Sequence, residues 1–291
     1  MNKQIVTLTL PYFNVQQIAE SGQIFRMDKI GPSCFKLVAQ SEAILLSQSE
    51  KDTPITFKGM TLQTWNHKWK KYFDLDTDYC HIVEVLSQKD KVMQQAIEFG
   101  QGIRILRQSP WEMLISFIIS QNKAIPHIKQ CINNISCSFG SPITLQEYPT
   151  EIFYSFPTPE QLGHASDEAL RMCKVGFRAP YILDACKKIL SDEINLADLA
   201  TQETEKIKET LMQIKGVGPK IADCITLFAY HRGEVFPTDV WIKRVIEGVY
   251  FKGKTQPLKE IQKFATTYFG DLAGYAQQYL FFYGRENALY K

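Results

Sequence analysis

The sequence has no pair of cysteines two residues apart. Its seven cysteines, an odd number, are scattered at positions 34, 80, 131, 137, 173, 186 and 224. That spacing excludes a disulfide framework and a clustered metal loop, and it predicts reduced thiols in a cytosolic setting. No apolar run approaches the ~20 residues that would span a bilayer. The opening residues, MNKQIVTLTLPYF, lack the basic-then-apolar layout of a secretory signal, so a protein without membrane attachment is expected. An excess of one charge is missing too. Against 33 Lys and Arg stand 31 Asp and Glu, a net charge of +2, so any surface that attracts a polyanion must be local. Internal repeats and low-complexity tracts are absent. What is present is 45% hydrophobic content over 291 residues, enough for two domains or one extended one.

The first part of the chain reads as strands. IVTLTL from Ile5 alternates, Cys34–Ala39 and Ala43–Ser47 are short strands separated by a turn, and Thr56–Leu62 is a further one. A short helix over Val15–Glu20 leads into SGQIFR at Ser21–Arg26. After Tyr79 the spacing turns helical. One helix is expected over His81–Phe99, stopping at Gly100. SPWE at Ser109–Glu112 is a capping box with proline at the first helical position, opening a strongly apolar helix to Ser120. Gln121-Asn122-Lys123 interrupts it, and a second helix runs from Ala124 to Phe139. Thr158-Pro159-Glu160 and Ser166-Asp167-Glu168 start two short helices, residues 174–178 form a loop, and a helix follows over Ala179–Leu190. The last helix runs from Gly274 to about Gly284. The expected fold is α+β and mostly helical. A twisted antiparallel sheet domain (1–95) precedes a two-lobed helical region (96–291) with a cleft.

The chain turns on Leu211–Trp241, LMQIKGVGPKIADCITLFAYHRGEVFPTDVW. It reads as helix, tight glycine turn, helix, loop and capped helix. Gly216 and Gly218 flank Val217 in a turn open to positive φ. Pro219 suits a first helical position. Lys220 then lies in the first turn, where free N–H groups and the helix dipole make the surroundings positive. Cys224, four residues on, shares its face. Asp239 precedes an apolar-periodic run at an N-cap position. Such a glycine turn can hold a DNA phosphate on backbone N–H groups without reading sequence. On the residues alone, Lys220 is either a further phosphate contact or an amine placed for chemistry, and Asp239 either an ordinary cap or an acid.

GVGPKIADC followed by PTD resembles the helix-hairpin-helix DNA glycosylases, and specifically their 8-oxoguanine DNA glycosylase branch. SGQIFR matches that branch's N-terminal motif, so the likeness covers most of the chain. The resemblance implies a bifunctional glycosylase and lyase that flips 8-oxoguanine out of double-stranded DNA. Lys220 would be the nucleophile that forms a Schiff base with the sugar, and Asp239 the acid that supports charge and proton transfer. A lysine amine attacks only when uncharged, and partial burial and the positive end of its own helix both favour that form. The Gly22 carbonyl would accept a hydrogen bond from N7–H of the lesion, a hydrogen that guanine lacks. Cys224 and Phe281 would sandwich the base and Gln277 would read its Watson–Crick edge. Asn122 would fill the hole in the duplex, with Phe177 as wedge and Arg178 bonded to the orphaned base. Gly216, Val217 and Gly218 would hold the backbone. Without the resemblance, Gly22 is an ordinary turn glycine, and Cys224 and Phe281 are core.

Two positions depart from the pattern. His127 stands where animal-type members carry an arginine that reads the orphan cytosine, which implies a relaxed preference for the opposite base. Trp241 stands where the family has histidine. No metal or organic cofactor is implied, and a monomer is expected, cytoplasmic and at the nucleoid if bacterial. Two other readings compete: an alkylated-base glycosylase of the same fold, which works without the lysine, and a non-catalytic helix-hairpin-helix module that only grips DNA.

Overall fold

The structure, a computed structural model, describes residues 4–50, 53–145 and 147–287. Strand β1 (Gln4–Leu8) precedes helix α1 (Val15–Glu20), whose Asn14 cap accepts from Gln17 N at 2.9 Å. Strands β2 (Met27–Gly31), β3 (Cys34–Ala39), β4 (Glu42–Ser47) and β5 (Ile55–Met60) complete an antiparallel sheet in the order β1-β5-β4-β3-β2. The short helices α2 (Leu62–Thr64) and α3 (Lys70–Tyr72) flank a π turn, Trp65–Trp69, and this stretch buries Trp65, Trp69 and Tyr72 against one sheet face. Strand β2 has no apolar alternation to betray it, since most of its residues face solvent on an edge.

Two helices, α4 (Tyr79–Ser87) and α5 (Lys91–Phe99), replace the single one expected over His81–Phe99. Asp90 breaks the run: its side chain caps α5 from Met93 N at 2.8 Å and accepts from Tyr250 and Tyr268 hydroxyls. Helix α6 (Pro110–Ser120) begins where expected, but the capping box is only half made. Ser109 accepts from Glu112 N at 3.5 Å, while the Glu112 carboxylate turns to Arg26, 3.9 Å away. Helix α7 (Ile125–Phe139) ends at Gly140. A hairpin that its polar and proline-bearing sequence did not announce follows, β6 (Pro142–Leu145) with β7 (Tyr148–Tyr154). Its Leu145 and Phe153 cover Val38, Ala43 and Leu45 on the second sheet face. That explains why β4 is buried on both sides and reads as a continuous apolar run.

Helices α8 (Pro159–Gly163), α9 (Asp167–Met172) and α10 (Ala179–Leu190) follow, the first two capped by Thr158 and Ser166 as expected. Then come α11 (Thr204–Leu211), α12 (Pro219–Phe228), α13 (Val240–Tyr250), α14 (Leu258–Phe269) and α15 (Ala273–Glu286). The helices share one apolar core with α6 at its centre, where Phe117 stacks on Phe228 of α12 at 5.6 Å. The sheet domain is latched to this core by Gln23. Its side-chain amide donates to Arg104 O and accepts from Leu106 N, both at 2.8 Å. No helix among the described residues is long and apolar enough to cross a membrane.

Candidate active site

Four segments meet at a cavity of about 60 Å³: the turn after α1, the first turns of α12, the loop into α13 and the middle of α15. Gly22, Lys220, Cys224, Asp239, Gln277 and Phe281 all line it. The six positions span residues 22 to 281, so only the tertiary fold brings them together. Ser21, Gln278, Phe117 of α6, Phe228 and Pro237 complete the wall; nothing in the sequence separates the last three from ordinary core residues.

Lys220 enters from the N-terminus of α12, with Pro219 at the first helical position. It is half-buried, its Nζ 5.7 Å from the Phe117 ring centroid. Asp239 caps α13, its Oδ1 accepting from Ile242 N at 2.8 Å. Among the described residues it has no ion pair with Lys220, and its second oxygen has no hydrogen-bond partner, so the carboxylate is fixed by one oxygen and open at the other. Cys224 is buried, which pushes its thiol up to about 11, with the Lys220 charge pulling the other way. The thiol is therefore neutral at physiological pH and offers a contact surface rather than a nucleophile.

The acceptors in this cavity are unusual. Gly22 adopts φ +85°, and a Cβ there would lie 2.9 Å from Phe281 Cε1, so both the backbone and the close approach require glycine. Around it, Glu20 O accepts from Arg285, Ser21 O from Gln278 at 2.7 Å and Gln23 O from Gln108 at 2.8 Å. Among the described residues nothing donates to Gly22 O. Gln277 Oε1 is likewise buried without a partner. A cavity lined by Gly22 and Gln277, each with an acceptor left open among the described residues, and by Asp239 with a free carboxylate oxygen, is matched to a ligand that carries several N–H donors.

Residues 5–114 match the family described as 8-oxoguanine DNA glycosylase, N-terminal domain, and residues 115–269 match the HhH-GPD superfamily of base excision DNA repair proteins. MBOgg1, solved with a low-affinity DNA ligand, is 44% identical and aligns over 99% of this chain and 100% of that one, with a TM-score of 0.93. The Clostridium acetobutylicum 8-oxoguanine glycosylase/lyase, in complex with double-stranded DNA containing cytosine opposite 8-oxoG, is 35% identical over 98% and 99% of the two chains, at 0.91. A probable N-glycosylase/DNA lyase of Methanothermobacter thermautotrophicus is 31% identical over 247 residues, 78% of this chain and 77% of that one. The chain belongs to the 8-oxoguanine DNA glycosylase family.

The residues matched to the family's opposite-strand contacts form a second cluster. Asn122 sits at φ +49° just beyond α6. Lys123 Nζ donates to Lys174 O at 3.1 Å and lies 3.1 Å from His127 Nε2, drawing α7 to the 174–178 loop. Phe177, in a 3-10 turn rather than open loop, is 52% exposed. Arg178 is buried. It donates to Gln121 O, beside Asn122, and to Val175 O at 3.1 Å, so in the free protein it braces the Asn122 turn. Trp241 is half-buried outside the cavity, with the Arg244 guanidinium 5.8 Å from its ring.

The hairpin distinguishes its two glycines. Gly216 has φ +79°, and a Cβ there would meet Tyr181 at 2.3 Å. Gly218 has φ −94° and faces open space. Val217 is buried as the anchor between them. Among the described residues, none accepts from the backbone N–H of Gly216, Gly218, Lys220 or Ile221, which leaves four donors free at one helix start.

Proposed function

We propose that this protein is a bifunctional DNA glycosylase and abasic-site lyase that removes 8-oxoguanine from duplex DNA. The single observation that carries the reading is the cavity: Lys220 and Asp239 line it together with the open acceptors Gly22 O and Gln277 Oε1. The four free N–H groups of the hairpin take a phosphate, and the lesion leaves the stack. Its N7–H donates to Gly22 O. Its Watson–Crick edge, rich in N–H donors, meets Gln277. Cys224 and Phe281 enclose its two faces.

The cavity is small, about 60 Å³, and Phe281, packed close to Gly22, swings aside to admit the base. Lys220 passes its ammonium proton to the departing base as its nitrogen attacks C1′ of the sugar, and the C1′–N9 bond breaks with its electron pair going to the base. The open oxygen of Asp239 stabilises positive charge at the sugar and moves protons. The C1′–O4′ bond then opens, O4′ takes up the proton that the lysine nitrogen gives up and stays on C4′ as a hydroxyl, and C1′=N forms as a Schiff base; loss of a 2′ proton then expels the 3′ phosphate. Asn122 fills the vacated position and Phe177 wedges beside it. Arg178 bonds the orphaned base by exchanging the carbonyls it now holds. His127 is shorter than an arginine, which relaxes the choice of opposite base. The enzyme works as a monomer, in the cytoplasm at the nucleoid if the source is bacterial.

The test is reductive trapping. With an 8-oxoguanine duplex and borohydride, the wild type forms a covalent adduct, and a folded Lys220→Gln variant forms none. A wild type that excises an alkylated base without an adduct, or that binds DNA without excision, sinks the reading.

A further inference from the structure

The turn that presents Gly22 O is held from the far end of the chain. Glu20 O and Ser21 O are the terminal carbonyls of α1, groups that a helix end leaves without intrahelical donors. Both are satisfied by side chains of α15. Gln278, 2% exposed, donates to Ser21 O at 2.7 Å. Arg285 donates through Nη2 to Glu20 O. Arg285 also lies 5.4 Å from the centroid of Phe281, and its Nη1, buried and without a partner, would be 3.3 Å from a Cβ at Gly22. It also pairs with Glu286 at 2.8 Å and lies 5.6 Å from the centroid of Phe282. The same helix thus carries Gln277 and Gln278, both of which line the cavity, and Gln278 also fixes the backbone one residue before Gly22.

We propose that Gln278 and Arg285 are specificity-positioning residues: they hold the Gly22 carbonyl at the spot where a purine N7–H must arrive. The inference rests on the 8-oxoguanine reading and deepens it. A hydrogen bond loses most of its strength when its acceptor is misaligned. A carbonyl in a positive-φ turn has no sheet or helix to keep it in place. Its direction is set by the peptides on either side, and two of the three carbonyls tied down around it are tied by α15. Among the described residues neither has a hydrogen bond or ion pair with Lys220 or Asp239, so their influence falls on recognition of the base and not on the chemistry of that pair.

That split supplies the experiment. Single-turnover excision is measured on a duplex with one 8-oxoguanine, and β-elimination on the same duplex carrying a preformed abasic site, which has no base to recognise. Arg285→Leu is expected to slow excision about tenfold, the scale of one lost charge-assisted hydrogen bond. Elimination stays within about twofold of the wild type on the same arithmetic. Arg285→Lys, which keeps a donor, recovers most of the loss. Gln278→Met, at a buried site that lines the cavity, is read for loss of excision alone; half-buried Arg285 carries the comparison of the two activities. Equal loss of both activities, failure of lysine to rescue, or unchanged excision in Arg285→Leu overturns the proposal. A wild type that eliminates at abasic sites yet never excises 8-oxoguanine overturns the reading beneath it instead.

Discussion

Asp239 caps a helix, and one substitution separates that cap from the acid role proposed for it. Asparagine caps a helix as well as aspartate does, and the cap uses only Oδ1. Asp239→Asn should therefore melt at the wild-type temperature by calorimetry. Its excision rate should fall by roughly 10²–10⁴, the range for a lost acid–base group. Full activity in that variant would reduce Asp239 to a cap. At the same scale, His127 predicts weak choice of the opposite base. Excision rates opposite C, A, G and T should lie within about tenfold of one another, since one good bidentate base contact is worth ~1–3 kcal/mol. Strict cytosine preference would place the discrimination elsewhere, with Arg178 the first residue to examine.

The hairpin joining α11 to α12 makes a prediction at the level of an element. Its two glycines look alike in GVG, yet the structure gives them different work. Gly216→Ala forces a side chain into positive φ and onto Tyr181, and should destabilise the fold by about 1–3 kcal/mol in denaturant titration. Gly218→Ala has no such strain, because φ −94° suits any residue and the space is open. Its methyl group instead stands where a phosphate would approach. Stability should hold while affinity for undamaged and lesion duplexes drops alike, measured by fluorescence anisotropy. If both variants prove merely unstable, Gly218 serves folding and not contact. The GVG pattern announced the turn; the neighbouring Tyr181, from a distant helix, assigned the labour within it.

Across the whole molecule, the sheet domain and the helical core are joined by a buried polar seam centred on Asp74. Its carboxylate accepts from Arg107 Nε at 2.7 Å and Tyr79 OH at 3.1 Å, and lies 3.2 Å from His231 Nε2, which follows α12. Burial alone would raise its pKa; the hydrogen bond and charge of His231, with Arg107, win and hold it at about 2. A depressed carboxylate stabilises the fold above its unfolded value, near 3.8, and that stability is lost as pH falls through the folded value. Between about pH 4 and pH 2 the seam should give up ~2 kcal/mol, since a tenfold change in proton affinity is worth about 1.36 kcal/mol. Asp74→Asn should lower stability at pH 7 by a similar amount and flatten this acid limb. An unchanged limb would show that the seam contributes nothing net.

Much of this was written locally. The helix starts at Ser109, Thr158, Ser166, Pro219 and Asp239 are short-range chemistry, in which a capping oxygen or a fixed proline φ acts within one turn, so neighbouring residues suffice to reveal them. The motifs around Ser21 and Gly216 likewise pointed to the family and to Lys220. Long-range contacts decided what local signals could not carry. Strand β2 and the β6–β7 hairpin take their places from partners rather than from alternation. The break at Asp90 answers two tyrosines more than 150 positions away. The donors that occupy the carbonyls around Gly22 come from α15, at the other end of the chain, and from Gln108. A backbone acceptor has no side chain to mark it in a sequence, and its availability depends on which donors the folded chain brings near.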